Sequence, residues 1–103
     1  TWYENKIQGL VLLESSWEVI VAKKLDGLGI KWLRPNFLNY YDSLGKKRYY
    51  FPDFYLIDHG VYLDPKNKYC IEKDKSKIEY FKDKITLIYG DVKHIISYIE
   101  NMV

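Results

Sequence analysis

The chain has 103 residues, 48% of them apolar and 17% aromatic, with eleven tyrosines and a formal net charge of +2. This composition fits one domain with a single core, residues 1–103, and excludes a disordered or low-complexity chain. No run approaches the ~20 apolar residues of a membrane span and no signal-peptide pattern opens the chain, so the expectation is a soluble, cytoplasmic protein.

The single cysteine, Cys70, excludes an intrachain disulfide and reads as a small buried hydrophobe in a reducing compartment. The small net charge says little about partners, but the lysines and arginines are clustered: Lys23-Lys24, Lys46-Lys47-Arg48, and Lys73, Lys75 and Lys77 with Lys82 and Lys84. Such clusters are either solvated faces or a footprint for a polyanion.

In chain order, Ser15 to Leu28 predicts a helix. Ser15 or Ser16 caps it, Glu18 sits in the first turn, and Trp17, Val21, Leu25 and Leu28 form a stripe at helical spacing that Gly29 ends. Glu18 borders the stripe, and Glu14, one turn earlier, is its runner-up. Ile30 to Leu33 reads as a strand and Pro35 as a break. Phe37–Tyr41 and Lys47–Phe51 read as a hairpin around Asp42-Ser43-Leu44-Gly45. Strands over Asp53–Ile57 and Val61–Asp64 flank the turn at Asp58-His59-Gly60. A helix from about Lys73 to Lys82, a strand Thr86–Tyr89 and a helix Asp91–Asn101 complete the chain. The order suggests an α/β or α+β domain with a mixed sheet flanked by helices.

Chemistry concentrates in Tyr50-Phe51-Pro52-Asp53-Phe54 and Tyr62-Leu63-Asp64-Pro65-Lys66. Two carboxylates on adjacent strands repel each other unless a cation sits among them, and Lys66, two residues after Asp64, shares its face of the strand. Glu18 on the preceding helix is a third acid for the same place. Hard oxygen ligands of this kind suit Mg2+ or Mn2+. His59 and His94 have no second nitrogen or sulfur ligand at zinc-site spacing, and Tyr49, Tyr50 and Tyr55 read as sheet aromatics, with stacking on bases or contact with phosphates as the alternative.

With the helix, the strand-borne acids and the lysine in this order, the chain resembles the PD-(D/E)XK nuclease superfamily over nearly its whole length. Four segments, Ser15-Ser16-Trp17-Glu18, Leu25-Asp26 through Trp32, Pro52-Asp53-Phe54-Tyr55-Leu56 and Lys73 through Ile78, resemble the small phage and intron-associated homing endonucleases of that superfamily. The resemblance implies a restriction-endonuclease-like core in the order α-β-β-β-α-β plus a C-terminal helix, and a Mg2+- or Mn2+-dependent DNA endonuclease. It assigns Asp53, Asp64, the carbonyl of Pro65 and Glu18 to the metal, Lys66 to the attacking water, and Lys77 to a phosphate contact. Lys46, Lys47 and Arg48 are further candidates for DNA contact.

The sequence departs from the commoner motif in having Asp at position 64, Pro at 65, Asn at 67 and Glu at 14. Proline cannot donate a ladder hydrogen bond, so its strand must lie at an edge, bulge or end there. These departures leave two alternatives: a nucleic-acid-binding module with a decayed site, and a structure-selective repair or junction nuclease on the same fold. The chain opens at Thr1 and has no sequence-reading helix, arm or zinc finger, which suggests a catalytic fragment whose DNA-recognition domain lies elsewhere. One such site cuts one strand, so a double-strand break would need a homodimer on DNA, sequential nicking or pairing on DNA.

Overall fold

A computed structural model describes residues 1–103, the side chain of Lys68 excepted. The sheet that organises it has four strands: β3 (Trp32–Leu33), β6 (Phe54–Leu56), β7 (Val61–Pro65) and β8 (Thr86–Gly90) lie side by side in the order β3-β6-β7-β8. The first three are antiparallel neighbours, while β8 runs parallel to β7. A parallel neighbour needs a crossover, and α2 (Lys68–Lys73) and α3 (Lys75–Phe81) supply it. The domain is α+β, with a mixed sheet, two separate hairpins and four helices.

Helix α1 (Ser16–Gly27) forms where the sequence places it. Ser15 is its N-cap and accepts from the Glu18 N–H. Gly29, at φ 71°, ends it in the left-handed conformation, and the Ile30 N–H returns to the Leu25 carbonyl. The buried face is Glu18, Val21, Ala22 and Leu25, an i, i+3, i+4, i+7 set, so the expected stripe is rotated by one residue and Trp17 is exposed. Helix α4 (Val92–Glu100), capped by Asp91, buries Ile95 and Ile99 and packs on α1, β7 and β8. Between these helices and the sheet lies the core, with Leu13, Val21, Leu25, Trp32, Phe54, Leu56 and Leu63 at its centre. No helix is long and apolar enough to cross a membrane among the described residues.

Three features depart from expectation. The N-terminal residues form a hairpin, β1 (Trp2–Asn5) with β2 (Gly9–Leu12), where no element was predicted. Its inward side chains include a buried Asn5, which interrupts the apolar alternation by which a half-buried strand is recognised. Asn5 is fully employed: Nδ2 donates to the Trp32 carbonyl, and Oδ1 accepts from the N–H groups of Ile7 and Gln8. The expected helix from Lys73 to Lys82 is two helices divided at Asp74, and it begins five residues earlier because the Asn67 side chain caps α2 by accepting from the Cys70 N–H. Cys70 is half-buried, not deeply buried.

β4 (Leu38–Tyr41) and β5 (Lys47–Tyr50) form the expected hairpin, and the third departure is that it stands apart from the main sheet. Tyr40 and Tyr50 pack against Phe81 of α3 at ring separations of 5.9 and 5.4 Å. The hairpin is thereby held beside the C-terminal end of β7.

Candidate active site

The register of β6 against β7 pairs Phe54 with Leu63, and extending it by one residue sets Asp53 opposite Asp64. Both acids are buried. Pro52 is also buried and fixes the chain's entry to Asp53. At the other strand's end, the Lys66 N–H donates to the Gly90 carbonyl at 2.7 Å, so alternation turns the nitrogen of Pro65 away from β8. On that side β6 has already begun at Phe54, and the missing donor has no ladder partner to disappoint. Of the three options for Pro65, the strand ends there.

Lys66 Nζ lies 3.1 Å from Asp64 Oδ1 and 3.5 Å from Asp53 Oδ2, a cation shared by two carboxylates. Burial alone would lower its pKa, but the charges of Asp64 and Asp53 outweigh that and raise it. The other oxygen of Asp64, Oδ2, accepts a hydrogen bond from the Tyr50 hydroxyl. Tyr50 is pushed well above the ordinary phenol range, by burial first and then by the Asp64 carboxylate. Despite the nearby ammonium, Asp64 Oδ1 accepts no hydrogen bond of acceptable geometry and is inaccessible to solvent. Its partner in the folded chain is the Lys66 ammonium, held as an ion pair and not as an aligned hydrogen bond.

Asp53 is pushed up to about 8 by burial, followed by the Asp64 charge; Lys66 opposes the shift, and Glu18 adds to it. Asp53 therefore holds a proton near neutral pH.

Glu18 reaches this cluster through a residue that sequence reasoning missed. Arg34 Nη1 sits 2.5 Å from Glu18 Oε1 and 3.6 Å from Asp53 Oδ1, and also donates to the Asp53 carbonyl at 3.3 Å. The second Glu18 oxygen accepts from the Ser15 hydroxyl and the Glu14 N–H, making the acid part of the helix cap. Glu14 contributes only backbone, its side chain being exposed. Arg34 itself is fixed by Gln8, whose side chain accepts from the Arg34 N–H at 2.5 Å and donates to its carbonyl at 3.0 Å. An arginine between a short strand and a proline carries no local signal of this role.

Among the described residues, no three His, Cys, Asp or Glu side chains converge into one metal-holding group. Asp53 and Asp64 converge, and Glu18 stands behind Arg34. The remaining candidates divide. Lys77 lies over the Tyr50 ring, 4.7 Å from its centroid, and pairs with Asp74 at 3.5 Å, so it borders the site. Lys46, Lys47 and Arg48 lie on the β4–β5 hairpin, where Arg48 binds Asp42 at 2.9 Å and Lys46 and Lys47 are exposed. His59 falls in the β6–β7 turn and His94 on the exposed side of α4.

A cleft of about 370 Å³ between the N-terminal hairpin and the end of α1 shares no residue with this cluster. Its one carboxylate, Asp26, is already engaged by the Tyr3 hydroxyl and the Trp32 indole. The chain matches no protein-family model, and no curated protein or solved structure is significantly similar to it.

Proposed function

We propose that the chain is a metal-dependent endonuclease domain with a restriction-endonuclease-like core, hydrolysing phosphodiester bonds in DNA, of the kind found in phage-type homing endonucleases. The observation that carries the reading is the opposition of Asp53 and Asp64 across β6 and β7, with Lys66 beside both. Asp53, Asp64 and the carbonyl of Pro65 are the hard-oxygen groups that would hold Mg2+ or Mn2+. When bound, such an ion supplies an activated water and offsets charge at the phosphate. Lys66 stands where its ammonium would stabilise the developing phosphate charge. Arg34 holds Glu18 and Asp53 in place from the opposite side. Tyr50 fixes the rotamer of Asp64.

Nicking of supercoiled plasmid in Mg2+ or Mn2+ tests this reading, with Asp64→Asn as the control. Parent activity that the variant lacks, with both proteins folded, is expected. Equal activity in the two would remove Asp64 from the chemistry. A second reading, a DNA-binding module with a decayed site, draws on the two cations already beside the acids: Arg34 and Lys66 offset much of the charge of Glu18, Asp53 and Asp64 without an ion. It predicts DNA binding without cleavage and no manganese-dependent rise in thermal midpoint.

A further inference from the structure

The β4–β5 hairpin has two unlike faces. Its inner face, with Tyr40 and Tyr50, packs on α3. Register and alternation put Phe37, Asn39, Tyr41, Lys47, Tyr49 and Phe51 together on the outer face. Four of those six are aromatic and all four are exposed: Phe37 by 48%, Tyr41 by 54%, Tyr49 by 56% and Phe51 by 66%. Phe37 anchors a cluster, 4.9 Å from Tyr49 at 85° and 6.0 Å from Phe51 at 56°. Ordinary surface design avoids such a patch, and a large exposed apolar patch marks an interaction site.

We propose that this face is a stacking platform for unpaired nucleobases, which delivers a single-stranded stretch of DNA next to a duplex into the Asp53–Asp64 site. The inference rests on the nuclease reading for the identity of the nucleic acid and adds to it the form of the substrate. Three observations select the occupant. No carboxylate stands on the outer face, whose one charge is Lys47, and exposed Lys46 follows at the turn. The only acid of the hairpin, Asp42, is turned inward on itself, accepting from the N–H groups of Leu44 and Lys46 and from Arg48. The patch is therefore positive as well as aromatic, the combination that binds single strands through backbone charge and base stacking.

The second observation is continuity: Phe51 precedes Asp53 by two residues, a span of at most about 7 Å, so a base on Phe51 puts a neighbouring phosphate at the acids. The third is what the face lacks. A two-stranded ribbon reading an intact major groove needs donors and acceptors for base edges, and here Asn39, Lys47 and the hydroxyls of Tyr41 and Tyr49 could serve, while Phe37 and Phe51 offer none. Paired bases in a continuous stack offer no free face to an aromatic ring, whereas unpaired ones do.

The test uses three labelled DNAs in chelator: a blunt duplex, the same duplex with a short 3′ or 5′ single-stranded overhang, and the single strand, the overhang carrying 2-aminopurine at the junction. Parent, Phe51→Ala, Phe37→Ala, Tyr49→Ala and Phe51→Trp are compared by anisotropy and 2-aminopurine fluorescence, after circular dichroism shows each folded. We expect tighter binding of overhang than of blunt duplex and quenching of the reporter. Each alanine variant should lose roughly tenfold in overhang affinity, by the usual cost of losing one base-stacking side chain. Blunt-duplex affinity should change less than twofold, and Phe51→Trp should retain binding and quenching.

Equal affinity for all three DNAs, or alanine variants indistinguishable from parent, would overturn the platform. So would a dimer in sedimentation that Phe51→Ala abolishes while overhang binding is unchanged, since the face would then be a contact between copies. The two readings fail separately. Overhang binding with quenching but no cleavage in Mn2+ keeps the platform and removes the nuclease. Cleavage of blunt duplex that ignores the aromatic variants does the reverse.

Discussion

Replacing Asp53 with Asn removes the carboxyl that burial and Asp64 hold far from its usual range, while keeping its size. In the folded chain this group is pushed up to about 8, and in the unfolded chain it titrates near 4, the usual value for Asp. Between those values the folded protein retains a proton that the unfolded chain has released. Stability therefore falls as pH rises from about 4 to about 8, by at most about 1.4 kcal/mol per unit, and is flat outside that window. Between pH 5 and 7.5 this amounts to at most about 3.4 kcal/mol, or roughly 15–25 °C in thermal midpoint for a domain of this size. Scanning calorimetry of parent and Asp53→Asn across that range, in chelator, reads the difference directly. The variant should gain on the parent steadily as pH rises. Parallel curves would show that Asp53 is not strained, and a variant that falls behind would show that its ion pairs with Lys66 and Arg34 dominate.

Further changes separate the roles of the site residues. Lys66→Met should leave manganese binding largely in place and slow single-turnover cleavage by roughly a hundredfold or more; unchanged turnover would make Lys66 a bystander. Glu18→Gln should lower the thermal midpoint and shrink the rise that Mn2+ produces by binding the folded state, whereas Glu14→Gln should do neither; the reverse outcome would overturn the arrangement around Arg34. Tyr50→Phe strands Asp64 Oδ2 in a buried place and should cost about 1–3 kcal/mol in urea denaturation, a loss absent if that bond contributes nothing.

The acids and lysine were legible because strand geometry is local. Period-two alternation fixes which side Asp64 and Lys66 share, and Pro52 and Pro65 mark the strand ends at which the carboxylates lie. Arg34 was not legible, since its role depends on Gln8, Glu18 and Asp53, which only tertiary packing brings to it. Asn5 hid the first hairpin because its partner, the Trp32 carbonyl, is equally remote in sequence. Trp17 misled the helix register: a large aromatic beside Glu18 outweighed the small Ala22, yet Ala22 is the residue that lets α1 lie close. The two-faced hairpin was legible as a hairpin but not as a separate ribbon, because sequence does not say which strands join one sheet.

The short turn between β6 and β7 has a consequence for the order of folding. A local hairpin closes on the microsecond scale, and closing this one drives Asp53 against Asp64. Lys66 gains its anchor on the Gly90 carbonyl only after the α2–α3 crossover has laid β8 in place, a slower, non-local step. The meeting of the two acids is thus specified by local contacts, and the anchoring of their lysine by a non-local one.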